Sequence, residues 1–277
     1  MTKGVFLKSL FVEKNGCYIP TEHAASPWGP VTIHGGASAG LMTSLIEEQF
    51  PTDTMQLARL TVDLFRPVPM AALEPRSRII RDGKRIKVLE VSLFNEGKEI
   101  CRSNALIVEK QDIVLPTHAQ LPELPPQKII DAFAQDEVIG INAINTASGV
   151  EYPPGLHTLI PLKPIFLNLG VGRGCSWVRL PLNVREGIEN SPLVSVATLS
   201  DFSNGFAQLY LSPEQGFINA DITLNLHRMP VDDWIVIDAY TRAQPNGIAM
   251  VETVLYDQHG MIGRVSQSNM TMSTFRQ

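Results

Sequence analysis

The order of hydrophobic and polar positions predicts one long helix and several strands in each half of the chain. In the first half, Leu41, Leu45 and Ile46 recur at helical spacing and predict a helix over residues 36–50. In the second half, small and apolar residues predict a helix over 193–206. Alternating patterns predict strands at 57–66, 76–81, 84–94 and 100–108, and again at 217–228, 234–240, 248–256 and 262–272.

Turn residues separate these elements. The pair Asn15-Gly16 predicts a hairpin near the start, and Asp82-Gly83 predicts a bend or bulge between two strand segments. A short helix is expected near residues 129–133, and no clear period follows it as far as Trp177.

The two halves repeat the same order of elements. Residues 60–66 align with 222–228 at an offset of 162, and the same offset joins Leu93 to Leu255. At the following turn the offset grows by one, where Gly97 corresponds to Gly260. This register predicts an internal duplication, with a first repeat at 1–110, a Pro-rich linker at 111–137 and a second repeat at 138–277.

A long helix held by an antiparallel sheet and entered through a hairpin is typical of a hotdog unit. The predicted fold class is therefore α+β, a double hotdog in which two tandem antiparallel sheets each wrap one long helix. An antiparallel sandwich or lipocalin-like barrel is the alternative, but an early helix in each half argues against it.

Composition narrows the classes of function. The net charge of −5 and the pI near 5.7 argue against a nucleic-acid partner. No apolar run is long enough to span a membrane and no secretory signal is visible, so a cytoplasmic protein is expected. Three cysteines and six histidines show no metal-ligand spacing, so no metal is expected. No other cofactor is predicted.

Two local features suggest a ligand. Gly35 and Gly36 precede the first helix, where free N–H groups suit a carbonyl oxygen that gains charge. The alternative is a tight turn that leads into a core helix. A basic group either forms a solvated strand edge or binds an anionic ligand tail; its members are Arg76, Arg78, Arg81, Lys84, Arg85 and Lys87.

Several motifs resemble those of double-hotdog acyl-CoA thioesterases of the thioesterase II type. In the first half they are Ser26-Pro-Trp28-Gly, His34-Gly35-Gly36, Arg66-Pro67 and Arg81-Asp-Gly-Lys-Arg85. In the second half they are Ser200-Asp201-Phe, Asn219-Ala-Asp221, Leu-His227-Arg228, Leu255-Tyr-Asp257 with Gly260, and Gln267-Ser268. Their order and spacing cover most of the chain outside the linker and residues 129–190.

The resemblance implies hydrolysis of an acyl-CoA substrate to a free acid and CoA, without a metal and without a covalent nucleophile. It implies that Asp201 and Gln267 activate a water molecule. Asn219 stands where the family usually has Thr, which puts the activity in question, and Asp221 could share its role. His34, Gly35 and Gly36 would contact the substrate.

Each candidate residue also has a structural interpretation. Asp201 could cap a helix, Gln267 could satisfy a neighbouring backbone group, and Asn219 and Asp221 could be turn residues at a strand edge. His34 is more often a hydrogen-bonded structural residue than a base. Three further residues are expected to be structural: Arg66 and Arg228 as partners of carboxylates, and Asp257 as a turn residue.

Two other functions stay open. A non-catalytic module that binds acyl groups or acyl-CoA is one, and the change at Asn219 favours it. Hydration of an enoyl-CoA is the other, but it needs a paired carboxylate and histidine, and no local motif supplies that pair. Because antiparallel sheet edges can pair between chains, a homo-oligomer is expected.

Overall fold

The computed structural model describes residues 8–120, 125–134, 137–145, 152–168, 170–212 and 215–273. In the first half the strands are β1 (Ser9–Lys14), β2 (Cys17–Pro20), β3 (Ala25–Ser26), β4 (Gly29–Ile33), β5 (Met55–Leu64), β6 (Glu74–Asp82), β7 (Ile86–Asn95) and β8 (Lys98–Glu109), together with helix α1 (Gly35–Glu47). The remaining strands are β9 (Leu162–Asn168), β10 (Arg173–Arg179), β11 (Asn183–Arg185), β12 (Gln215–Asn219), β13 (Asp221–Leu226), β14 (Trp234–Ala243), β15 (Ile248–Asp257) and β16 (Gly260–Ser273). The remaining helices are α2 (Gln127–Phe133), α3 (Ile141–Asn145), α4 (Leu156–Leu159), α5 (Pro192–Ser200) and α6 (Phe202–Phe206).

Eleven strands of the described residues form one antiparallel sheet. Their spatial order is β6-β7-β8-β5-β13-β16-β15-β14-β10-β9, and β12 pairs with β16. The order β5-β8-β7-β6 on one side of the centre therefore repeats as β13-β16-β15-β14 on the other. The predicted α+β double hotdog is confirmed, with the two sheets joined edge to edge through β5 and β13.

The pairing at this junction agrees with the repeat read from the sequence. Thr61 lies opposite Thr223, and Leu60 lies opposite Leu224. An offset of 162 makes Thr61 and Thr223 equivalent positions, so a two-fold axis between the halves would pass beside this pair. The duplication and the repeat boundaries at 110 and 138 stay predictions.

Helices α1 and α5 cross at the centre of the molecule with almost no side chain between them. A Cβ atom on Gly36 would come within 2.3 Å of the Thr198 carbonyl oxygen, and one on Gly40 within 2.1 Å of Thr198 Oγ1. Only glycine permits this approach. The helices run antiparallel, so the start of α1 meets the end of α5.

Burial explains the composition of the two helices. Most residues of α1 and α5 are buried, because each helix packs against the sheet on one side and against the other helix on another. A helix surrounded in this way is apolar or small all round, with little amphipathic pattern.

Three predicted elements differ in detail from the structure. Asp82-Gly83 belongs to a hairpin turn between β6 and β7, in which the Gly83 N–H donates to the Ile86 carbonyl (3.0 Å). The strand predicted over 217–228 is interrupted at Ala220, whose N–H donates to β16 and whose carbonyl accepts from Leu64 of β5. The helix predicted over 193–206 is interrupted at Asp201, although its backbone angles stay helical.

The segment without a clear period adds elements that the pattern did not predict. Strands β9 and β10 extend the large sheet, β11 pairs with β1, and the short helix α4 lies beside β3. Helix α2 agrees with the short helix expected near 129–133 and covers Trp177 on the sheet. Within the described residues, no helix has the length and hydropathy to cross a membrane.

Candidate active site

The carboxylate of Asp201 lies at the start of α1 and accepts hydrogen bonds from three directions. Its Oδ2 atom lies 2.7 Å from the Gly36 backbone nitrogen and 2.9 Å from His34 Nδ1. Its Oδ1 atom accepts from Asn219 Nδ2 at 2.8 Å. The crossing of α1 and α5 therefore brings a residue from each half to one point.

These donors keep Asp201 ionised although the residue is only 8% exposed. Burial by itself would raise the pKa of Asp201. The hydrogen bond and charge of His34, the Asn219 amide and the Gly36 N–H outweigh it, so the pKa lies below the usual range for aspartate. The Asp201 side chain is therefore a carboxylate at neutral pH.

The same contacts determine which nitrogen of His34 carries a proton. Gly36 N lies 3.1 Å from His34 Nδ1 but 2.7 Å from Asp201 Oδ2, so the carboxylate is the better acceptor for its N–H. The contact between Nδ1 and the carboxylate needs a proton, which places it on Nδ1. The opposite nitrogen, Nε2, has no hydrogen-bond partner among the described residues and can accept from or donate to a ligand.

Aromatic side chains hold the His34 ring in this orientation. Phe202 stacks on it with ring centroids 4.7 Å apart, and His157 of α4 lies 6.2 Å away. Burial, followed by the charge of His34, lowers the pKa of His157 to about 3. His157 is therefore neutral at physiological pH. The sequence did not indicate His157, because it lies in the segment without a clear period.

Further polar side chains continue from Asp201 along β16. Gln267 Nε2 donates to the backbone carbonyl of Asp201 at 3.5 Å, and Asn269 Nδ2 donates to Asn204 Oδ1 at 2.6 Å. Gln267 and Asn269 are two residues apart, so they share the buried face of the strand. The functional residues predicted from the sequence did not include Asn204 and Asn269. Their only signal was a polar residue at a position where the period predicts an apolar one.

The predicted glycines contribute in two ways. A Cβ atom on Gly35 would lie 2.8 Å from an Asp201 carboxylate oxygen, so glycine leaves the space that this carboxylate occupies. The N–H of Gly36 is already bonded to Asp201 and is not free for an oxyanion. The N–H of Gly35 has no hydrogen bond among the described residues and stays available at the helix start.

Asp221 is not part of this group. Its carboxylate accepts from the Ser268 backbone N–H, and it lies opposite Asp63 across the β5–β13 pair. Burial, followed by the charge of Asp221, raises the pKa of Asp63. Because the strand breaks at Ala220, Asp221 does not continue the face of Asn219 as the sequence suggested.

The basic residues lie far from Asp201. The hairpin that carries Lys84 and Lys87 borders a depression with Pro51 and Thr54, beyond the far end of α1. A helix of this length spans about 20 Å. Most of these side chains pair with neighbouring carboxylates, as a solvated strand edge would.

The arginines expected to be structural separate into two cases. Arg228 donates two hydrogen bonds to the fully buried Asp257 carboxylate, at 2.5 and 2.6 Å, which confirms its predicted carboxylate partner. Asp257 also accepts from the His259 N–H, as a turn residue does. Arg66 is exposed and has no ion pair among the described residues.

The described part of the chain contains no group of three histidine, cysteine or carboxylate side chains placed to hold a metal ion. What the arrangement offers is an ionised carboxylate, an oriented imidazole, amide groups and a helix start. Such a set can bind water and a carbonyl group and can transfer protons between them.

Comparisons with known proteins agree with this architecture. A family model described as the acyl-CoA thioesterase N-terminal domain matches residues 24–108, and one described as the acyl-CoA thioesterase C-terminal domain matches residues 169–271. The search of curated proteins found no match.

Solved structures of similar fold cover nearly the whole chain. A hot-dog-fold protein of unknown function from Alicyclobacillus acidocaldarius has a TM-score of 0.67 at 13% identity, over 95% of this chain and 96% of that one. The acyl-CoA thioesterase II TesB2 from Mycobacterium marinum has a TM-score of 0.65 at 16% identity, over 98% and 96%. A CurJ dehydratase has a TM-score of 0.52 at 11% identity, over 87% and 83%. At these identities the likeness is one of fold.

Proposed function

Because the chain belongs to the acyl-CoA thioesterase family, we propose that it hydrolyses acyl-CoA thioesters at Asp201 to a free carboxylic acid and CoA. The observation that carries this proposal is the Asp201 carboxylate at the start of α1, bonded to His34, Gly36 and Asn219 and adjacent to Gln267. A carboxylate fixed by three donors is preorganised and needs little rearrangement when a reaction begins.

The proposed reaction uses water as the nucleophile. Water loses a proton to the Asp201–His34 pair while its oxygen bonds to the thioester carbonyl carbon. The carbonyl oxygen gains negative charge, which the free N–H of Gly35 at the helix start stabilises. The C–S bond then breaks, the acid is released, and the proton returns to the sulfur of CoA.

Each amide has a separate role in this proposal. Gln267 is buried, and its Oε1 atom has no hydrogen-bond partner in the described protein, so it can accept from the attacking water. Asn219 acts through Asp201, which it holds from the opposite side at 2.8 Å. The Asn219 side-chain N–H donates to Asp201, as the hydroxyl of a threonine could do at this position. Asparagine here is therefore compatible with activity.

Release of free thiol from a panel of acyl-CoAs of increasing chain length tests the proposal. We expect turnover with at least one chain length, and we expect Asp201→Ala to lose it while keeping its thermal unfolding and its affinity for acyl-CoA. No thiol release from well-folded protein would contradict hydrolysis. Thermal stabilisation by acyl-CoA without thiol release would instead support the non-catalytic binding module.

A specific observation also favours a second function, the hydration of enoyl-CoA. That reaction needs a carboxylate and a histidine acting together, and the Nδ1–Oδ2 contact of 2.9 Å supplies such a pair from the two halves. The oxygen of water would bond to the third carbon of the enoyl group while a proton goes to the second carbon, and the double bond is lost. The pair would accept the proton from water and return one to carbon.

One substrate separates the two functions. With crotonyl-CoA, thiol release and the absorbance of the conjugated double bond can be followed in the same sample. Hydrolysis keeps the carbon–carbon double bond and breaks the thioester, so any loss of absorbance is matched by released thiol. Loss of absorbance without thiol release would favour hydration. The fold does not decide between them, because structures named as a thioesterase and as a dehydratase share it.

A further inference from the structure

Four buried side chains beside Asp201 have a polar atom without a hydrogen-bond partner in the described protein. We call them the polar patch: Ser203, Thr253, Gln267 and Asn269. Each of these residues is at most 2% exposed. A buried polar atom that is left unpaired destabilises a folded chain, so four such atoms in one region call for an explanation.

The polar patch is continuous and touches the proposed active site. Gln267 lies opposite Val251, and Thr253 follows two residues later on the same strand, so Thr253, Gln267 and Asn269 share one face of the sheet. Helix α6, which carries Ser203, packs onto β14, β15 and β16 over this face. Gln267 connects the patch to Asp201 through its bond to the Asp201 carbonyl.

Three buried threonines elsewhere in the fold pair their hydroxyl groups, whereas Ser38 Oγ on α1 is unpaired like the hydroxyls of the patch. Thr43 Oγ1 donates to the Ala39 carbonyl at 2.7 Å, and Thr198 Oγ1 donates to the Val194 carbonyl at 2.8 Å. Thr241, on the strand next to Thr253, donates to the Ala207 carbonyl. The unpaired hydroxyls of the polar patch therefore contrast with three other buried threonines of the same core.

The unpaired atoms favour one kind of ligand group. The free atoms of Gln267 and Asn269 are carbonyl oxygens, which only accept hydrogen bonds, and the two hydroxyls can also accept. A plain alkyl chain in contact with these atoms would leave all of them unpaired, whereas a hydroxyl group would pair with at least one. A site built to bind a substrate hydroxyl discriminates strongly against the analogue that lacks it.

We propose that the polar patch selects acyl-CoA substrates whose acyl chain carries a hydroxyl group. This inference rests on the proposed thioester hydrolysis, because it assigns the acyl chain to the region beyond Asp201. The hydroxyl donates to Asn269 Oδ1, while Gln267 Oε1 holds the attacking water, and the thioester carbonyl lies at the start of α1.

Matched substrate pairs test the inference. Hexanoyl-CoA and octanoyl-CoA are each compared with counterparts hydroxylated at the third, fourth or fifth carbon, by thiol release and by calorimetric binding to Asp201→Ala. We expect at least one hydroxylated substrate to exceed its parent by about tenfold or more in kcat/KM and in affinity. Equal or better use of the parent chains throughout would overturn the inference and leave hydrolysis intact.

Two variants assign the preference to the patch. Thr253→Val and Ser203→Ala each remove an unpaired hydroxyl with little change in shape, so we expect a lower hydroxylated-to-parent ratio and an unchanged or higher Tm. Thr43→Val is the matched control, since its hydroxyl is already paired, and should keep the ratio. An unchanged ratio in both patch variants would overturn the inference.

Failure of the two proposals gives different results. If no substrate releases thiol, hydrolysis is wrong, and the affinities for the same pairs still test the selectivity. If all chains are hydrolysed without regard to the hydroxyl group, only the selectivity is wrong.

Discussion

The two ends of the α1–α5 pair have similar backbone geometry and different chemistry. Because the helices are antiparallel, each end brings the start of one helix to the end of the other. At one end the Asp201 carboxylate meets His34, the N-cap of α1. At the other end the Glu47 carboxylate lies beside Ser191, the N-cap of α5.

The two carboxylates differ in the direction of their pKa shift. The pKa of Asp201 is lowered, because its donors outweigh burial, whereas the pKa of Glu47 is raised, because burial outweighs the opposing effect of the Ser191 hydroxyl. Part of the reason is the first turn of each helix. The Gly36 N–H in the first turn of α1 donates to Asp201, whereas no backbone N–H of α5 lowers the pKa of Glu47.

The Glu47 end also contains open space. A cavity of about 340 Å³ lies there, lined by Glu47, Glu48, Glu189 and Arg185 among others. The Arg185 guanidinium bonds to Glu48 and to Ser44 and lies over the Tyr18 ring. The Glu47 end therefore has open volume and a helix start, but Glu47 lacks the set of donors that surrounds the Asp201 carboxylate.

Exchange of each carboxylate for its amide should give the largest difference between the two ends. Asp201→Asn removes the charge at the proposed active site, so kcat should fall by about 10²–10⁴-fold. The matched variant Glu47→Gln should leave kcat/KM unchanged. Steady-state thiol release from the best acyl-CoA measures both. Equal losses in the two variants would show that the ends are not chemically distinct.

Removal of the His34 ring should have the next largest effect, and it should depend on Asp201. His34→Asn should lower kcat by about 10²-fold, because the pair shares the proton from water. The double variant with Asp201→Asn should be no slower than Asp201→Asn alone, since groups that act as a unit give non-additive losses. Rate losses that multiply would mean that His34 and Asp201 act independently.

A smaller effect is expected from Asn219→Leu. It removes one donor to Asp201, so the pKa of Asp201 should rise and the acid limb of the kcat/KM profile should move to higher pH. With a lowered folded pKa, Asp201 contributes stability above its ordinary pKa, which is lost as pH falls through the folded value. On acidification the variant should therefore also unfold at a higher pH than the unchanged protein, as followed by circular dichroism. Asn225→Leu, an exposed asparagine on β13, is the control and should leave both profiles unchanged.

The smallest effect concerns the stability of the Glu47 end. A raised folded pKa means that ionised Glu47 opposes folding, so this contribution favours the folded state below pH 4.5 and is lost as pH rises through the folded pKa. Glu47→Gln should therefore stabilise the protein near pH 7.5 by less than about 1 kcal/mol. Urea unfolding at pH 4 and at pH 7.5 measures this change in the free energy of unfolding. A gain that is as large at pH 4 as at pH 7.5 would exclude ionisation as the cause.

Several features of the fold could be predicted from local sequence. Helix α1 and the strands around Leu60 and Ile222 follow from the spacing of apolar residues, because side chains repeat with the period of the backbone. The offset of 162 made Thr61 and Thr223 equivalent positions, and the structure shows that these two residues lie opposite each other at the junction. The segment that contains α4 was not predictable, since its short elements depend on packing against β3 rather than on their own pattern.

The candidate site was only partly predictable. Asp201, Asn219 and Gln267 were identified by resemblance, and the structure brings all three together: Asn219 donates to the Asp201 carboxylate and Gln267 to the Asp201 backbone carbonyl. The sequence alone determined these residue types, the two glycines at the helix start and the order of the strands along the chain. Only the tertiary structure decided that His34 pairs with Asp201 and that Asp221 lies apart. Hydrogen bonds between residues 167 positions apart arise from the crossing of two helices, and no local period encodes that crossing.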